Sequence, residues 1–165
     1  RLSDDMAING SGSGQPLGLV NNTDIEVVAT LTGPLGLDNV LDAQSSLLGK
    51  GVDPDAITVV MSPAAWSSIV ATKTGTDYNT YAIGPVNDQF ARRLFGMPVV
   101  LSPFIETSCV VGDFDYAAAV IRQGAEVAVS GDVEFDTDQL SMRSVVRIGF
   151  GVVDPAAFAR IDGIA

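Results

Sequence analysis

The chain has no histidine and a single cysteine among its 165 residues. Without histidine the commonest general base and the commonest metal ligand are gone. A Ser-His-Asp or Cys-His enzyme is excluded; a carboxylate or lysine enzyme is not. One cysteine cannot form an internal disulfide, and Cys109, in the apolar run Cys109-Val110-Val111, reads as a small buried hydrophobe. Positive charge is scarce too. Nine Lys and Arg stand against twenty Asp and Glu, a net charge of −11. Only Arg1 and Lys50 are basic within the first 70 positions. Phosphate backbones are bound by clustered Lys and Arg, so nucleic acid is a poor partner. No run reaches the roughly 18 apolar residues of a membrane-spanning helix. The first methionine is Met6, so a fragment or processed product is expected.

Hydrophobic residues at 47% and charged residues at 18% are an ordinary globular balance that argues against disorder. Residues 7–22 are a glycine-rich turn region and then a short apolar stretch. Val27–Leu31 reads as a strand ended by Gly33-Pro34. Leu37, Val40, Leu41, Leu47 and Leu48 recur at helical spacing, with Asp38 near the start and Gly49 and Gly51 at the end. Ile57–Met61 is a short buried strand, and Ser62-Pro63 is an N-cap followed by proline at the first helical position. Trp66, Ile69 and Val70 share a face of that helix. Residues 73–89 form a long polar loop, a length that is usually functional or mobile.

The remainder reads mostly as strand: Val99–Leu101, Ser108–Gly112, Glu126–Ser130 and a last one at Phe158–Ile161. Tyr116–Ile121 suits strand or helix. From Leu140 to Val153 the chain alternates, with Leu140, Met142, Ser144, Val146, Ile148, Phe150 and Val152 on one face and Arg143, Val145 and Arg147 on the other. Helices early and strands late indicate an α+β fold.

Six segments resemble, in order, the major capsid protein of tailed bacteriophages, the Hong Kong 97-type fold. Asn9 to Gly18 is similar to the family's "NGDGTGQPLG". Val60-Met61-Ser62-Pro63-Ala64-Ala65-Trp66 is similar to its strand, "NP..W" and helix. Leu94-Phe95-Gly96-Met97-Pro98-Val99-Val100 is similar to "LWGLPVV", and Val111-Gly112-Asp113-Phe114 to "VGDF". Arg122 through Val127-Ala128-Val129-Ser130 is the fifth, and Asp154-Pro155-Ala156-Ala157-Phe158, against "RPAAF", the last. The resemblance implies an axial domain at 15–120, an axial-domain sheet with flanking helices. It implies a peripheral β-hairpin at 121–153 and a C-terminal strand returning to the axial domain at 154–165. The family's N-terminal arm, extended loop and most of its spine helix would precede Arg1. The implied function is a structural head protein of a phage or prophage. It would be made in the bacterial cytoplasm and carried in the virion, its copies forming the pentamers and hexamers of a shell around the genome. A cellular nanocompartment shell, encapsulin-like, is the runner-up, and an enzyme the third reading.

No catalytic residue, metal or cofactor is expected. Gly10-x-Gly12-x-Gly14 lacks the strand and helix of a dinucleotide site and reads as a flexible connector. Trp66 and Phe95 fit apolar faces and read as core. Tyr78, Asn79 and Tyr81 in the 76–84 loop are candidates for subunit contacts, because tyrosine is enriched at interfaces. Asp132, Glu134, Asp136 and Asp138 alternate, which on a strand gathers four carboxylates on one face. A solvated face, a ladder of charge pairs and a calcium site all fit. Pairing of Asp136 or Asp138 with Arg143 or Arg147, within or across subunits, is the specific expectation. Some family members link subunits through a lysine–asparagine isopeptide bond helped by a glutamate. Here the acceptor region offers Asp138 and no asparagine, and Val145 and Val146 stand where the glutamate is expected. Mature particles should run as monomers on denaturing gels; a ladder of covalent multimers is the contrary result.

Overall fold

The computed structural model describes residues 2–73, 92–130 and 141–165. Three helices are described, α1 (Leu2–Asn9), α2 (Leu37–Gly49) and α3 (Pro63–Val70). The strands are β1 (Glu26–Thr30), β2 (Ile57–Met61), β3 (Arg93–Leu94), β4 (Met97–Leu101), β5 (Ser108–Asp113), β6 (Ala117–Ser130), β7 (Ser141–Val152) and β8 (Phe158–Asp162). Six of them make one sheet in the order β1-β8-β5-β2-β4-β3, and β6 and β7 make a separate two-stranded ribbon.

The local signals behave as their chemistry dictates. Ser62 Oγ accepts from the Ala65 N–H at 3.0 Å, with Pro63 opening α3. Helix α2 buries Val40, Ala43 and Leu47 on its apolar stripe. Its N-cap is Gly36 and makes no side-chain cap bond; Asp38 sits inside the first turn, where its charge suits the helix dipole. At the other end Gly51 takes a positive φ of 85°, and Val52 N–H donates to the Leu47 carbonyl at 3.2 Å, closing the helix.

Strand β5 is buried along its whole length, because the sheet is covered on both faces. On one face Val59, Met61, Cys109, Val111, Ala159 and Ile161 pack against α2 and α3 through Leu47, Ala65 and Ile69. On the other, Val60, Val110 and Phe158 meet Ile8, Leu19, Ile25 and Ile105. Phe158 stands edge-on to Phe114 with ring centroids 5.4 Å apart. Gly112 makes room for it: a Cβ there would lie 2.5 Å from Phe158 Cδ1. Arg160 ties the N-terminal segment to β8. Its guanidinium pairs with Asp162 at 2.9 Å and donates to the Val20 carbonyl.

Four elements depart from the sequence reading. Helix α1 is unannounced, being eight residues long with no clear apolar stripe. The glycine segment has its two ends tied together, with Gly12 and Gly14 in the exposed turn between them. Gly18 N–H donates to the Gly10 carbonyl at 2.9 Å, and a Cβ on Gly18 would stand 2.4 Å from the Ile8 carbonyl oxygen, so bare backbones touch here. Tyr116–Ile121 and Glu126–Ser130 are parts of the one strand β6, with Tyr116 in the turn before it. Register shifts on either side of Gln123 break the alternation that would have shown this. Phe95 is not core. With φ of 51° at Phe95 and 87° at Gly96, the β3–β4 hairpin turn leaves the ring 45% exposed, while Leu94 and Met97 are buried. Trp66 is half-buried against the core.

Because Phe158 is fully buried between two layers, Phe158→Ala should lower unfolding free energy by about 3–5 kcal/mol in urea titrations. A loss under 1 kcal/mol would contradict the packing.

Candidate functional site

The described residues of the ribbon are mostly exposed along both strands. Its register runs from Ala117 opposite Val152 at the foot to Ser130 opposite Ser141. The foot is anchored: Ala117, Phe150 and Val152 pack against the core beside Phe158, and α1 lies next to β7. Beyond the foot the two faces differ in chemistry, because side chains alternate across a strand.

One face is apolar and open. Val129 stands opposite Met142, Ile121 opposite Ile148, and Val127 and Val146 complete the stripe. Met142 is 73% and Ile121 70% exposed. A contiguous apolar surface of this kind marks an interaction site, since scattered single hydrophobes do not line up. The other face carries charge. Arg143 lies opposite Ala128, Arg147 opposite Gln123, and Val145 between them opposite Glu126, around one shallow groove. Glu126 accepts from Gln123 Nε2 at 2.7 Å. Among the described residues no carboxylate pairs with either guanidinium.

The structure thus places Arg143 and Arg147 together on one exposed face, as the alternation required. Tyr78, Asn79, Tyr81, Asp136 and Asp138, and the acidic run that starts at Asp132, lie outside the described residues. One grouping escaped sequence reasoning. Asp53, Asp113 and Asp154 come from three turns far apart in the chain, yet line one depression with Lys50 and Tyr116 at the foot of the ribbon. Asp53, Asp113 and Asp154 each accept the backbone N–H two residues on, at 3.0–3.1 Å. The Asp-x-x sequence of such turns is readable; their convergence is not. Lys50 is already held by Glu26 at 2.6 Å, and that ammonium, with a hydrogen bond from Ser46, holds the Glu26 carboxyl below its usual range. Among the described residues no cluster of ligating side chains could hold a metal ion, and no helix is long and apolar enough to cross a membrane.

The sequence pattern of the phage capsid family matches residues 1–163. The chain belongs to the phage capsid family. Its fold is that of solved capsid proteins. The capsid protein of a native GTA particle is 18% identical, with a TM-score of 0.77 over 100% of this chain and 61% of that one. The protein of Mycobacterium phage Che8 is 17% identical, with a TM-score of 0.64 over 85% of this chain and 55% of that one. An encapsulin from Synechococcus elongatus is 14% identical, with a TM-score of 0.63 over 99% and 60%. No curated protein matches. This capsid-family chain therefore spans about three fifths of the length of the structures it resembles. Family and fold point to a structural, non-enzymatic protein.

Cys109 suits that reading, as a buried thiol whose pKa burial pushes up to about 12. Its folded value lies above the unfolded one near 9.0, so its contribution to stability is complete below pH 9. It is lost as pH rises toward 12. The folded chain should resist iodoacetamide at pH 8 and react once unfolded in urea; rapid labelling of the folded chain would contradict its burial.

Proposed function

We propose that this chain is the shell-building part of a phage or prophage head protein, whose copies form the pentamers and hexamers of a closed icosahedral shell around the genome. The family match over nearly the whole chain carries the reading. The ribbon supports it: a packed body that holds out a two-faced β-ribbon has more interaction surface than a monomer needs. In this reading residues 15–120 are the axial part, 121–153 the peripheral part, and 154–165 the strand returning to the axial sheet. Arg143 and Arg147, with Tyr78, Asn79, Tyr81, Asp136 and Asp138, are contact residues between copies. Heterologous contacts that close make rings, and many weak repeated contacts make a stable shell. The acidic chain suits a container that does not hold its genome by the phosphates.

A second reading, a cellular nanocompartment shell, is favoured by the likeness to the Synechococcus encapsulin. Expression of the full-length protein followed by electron microscopy of the particles separates the two. Closed shells from phage-producing cells holding nuclease-protected DNA are the expected result. Shells packed with protein cargo would favour the compartment, and protein that stays monomeric under all conditions would contradict both.

A further inference from the structure

The β3–β4 hairpin turns on Phe95 and Gly96, between the paired residues Leu94 and Met97, and both turn residues take positive φ. A two-residue turn of that kind suits Asn-Gly, because a bulky side chain in the left-handed region is strained. Phe95 gains little burial in return, its ring being 45% exposed. A strained residue that its own chain's packing does not repay points to a role outside that packing. Arg92, just before the hairpin, is exposed and has a positive φ of 40° as well. Arg93 and Phe95 lie on the side away from buried Leu94. Arg93 Nη1 donates to the Gly96 carbonyl at 3.3 Å, which holds the guanidinium at the turn. The tip is thus an aromatic ring with two cations beside it, in a chain of net charge −11.

The groove between α1 and the β4–β5 loop has the opposite charge and an apolar wall. It encloses about 330 Å³, and Val20, Pro103, Phe104 and Ile105 line it with Asp5 and Glu106. Asn9 braces its two sides: Nδ2 donates to Asp5 Oδ1 at 2.8 Å and to the Phe104 carbonyl at 2.7 Å. Both bonds run through one nitrogen, so the Asp5 carboxylate stands within about 6 Å of the Phe104 carbonyl. Two residues on one side of a strand are about 7 Å apart, so a Phe95 ring set on Phe104 brings Arg93 to Asp5. Glu106 has no hydrogen-bond or ion-pair partner among the described residues and is left to receive Arg92. A groove braced in advance loses little freedom on binding.

Tip and groove cannot meet within one chain. Phe95 precedes β4 and Phe104 follows it, and about 16 Å of strand lies between them, beyond the reach of a phenylalanine side chain. We propose that the Arg92, Arg93 and Phe95 tip of one copy seats in the Asp5–Glu106 groove of a second copy. The two patches differ, so the contact can repeat from copy to copy around a ring. The pairing rests on the shell reading and adds to it a contact beyond the ribbon.

The test is a cycle of variants in the full-length protein, read as the critical concentration for shell assembly at low and high salt. Phe95→Asn with Arg92→Gln and Arg93→Gln removes the tip, and asparagine suits the left-handed backbone, so Tm should hold or rise. Asp5→Asn with Glu106→Gln removes the groove's charges and keeps an oxygen to accept from Asn9. Each set should raise the critical concentration about ten-fold at low salt, and the two sets together should be no worse than either alone. Purely additive losses overturn the pairing, as does a tip variant that assembles like the wild type. Wild-type protein that forms no shell contradicts the functional reading. The pairing is then read by sedimentation: self-association weakened by the tip set and coupled to the groove set supports it, and a strictly monomeric wild type overturns both.

Discussion

The structure depends on the insertion of its last strand. β8 lies between β1, which it meets in parallel, and β5, which it meets antiparallel, so it joins β1 to the other four strands of the six-stranded sheet. The insertion is driven by burial on both sides at once: Ala159 and Ile161 face the helices while Phe158 fills the opposite layer. It is admitted by missing Cβ atoms at Gly112 and Gly163, which would lie 2.5 Å from Phe158 Cδ1 and 2.1 Å from the Leu31 carbonyl oxygen. Arg160 and Asp162 secure the strand at its polar edge, and the Ser108 hydroxyl donates to Asp162 at 2.9 Å. Apolar burial supplies the energy here and the polar contacts supply the register, since a one-residue slip would send Phe158 to the wrong layer.

With the sheet closed, the ribbon becomes an appendage with a fixed root. Ala117 and Val152 are held at the core and everything beyond them projects. A two-stranded ribbon standing alone is marginal in water. This one is continuous with a buried foot, yet its apolar stripe stays in solvent, which costs free energy that only a cover can recover. On the proposed shell reading the division is economical in physical terms: the body folds on its own burial, and the apolar surface left over is the one available to join copies.

Much of the body was readable from local chemistry. Ile57–Met61, the Ser62-Pro63 start of α3 and the stripe of α2 each announce themselves within a few residues, because caps and periodicity are short-range. Strand order was not readable, since the pairing of Glu26 with Ala159 joins positions with no local relation. Phe95 misled because its apolar character was visible and its left-handed backbone was not. Helix α1 gave no signal because eight residues with a weak stripe carry none. The ribbon's alternation was plain from Met142 to Val152. That its apolar side faces solvent could come only from the packing, as could the meeting of Asp53 with Asp154.

On the proposed shell reading the six-stranded sheet keeps its structure within each copy and assembly acts on the ribbon. Backbone hydrogen exchange, compared between unassembled full-length protein and closed shells, tests it most directly. Slowed exchange across residues 117–130 and 141–152 on assembly, with β2, β5 and β8 equally protected in both states, is the predicted result. Unchanged exchange in the ribbon together with newly gained protection in β5 and β8 would contradict it.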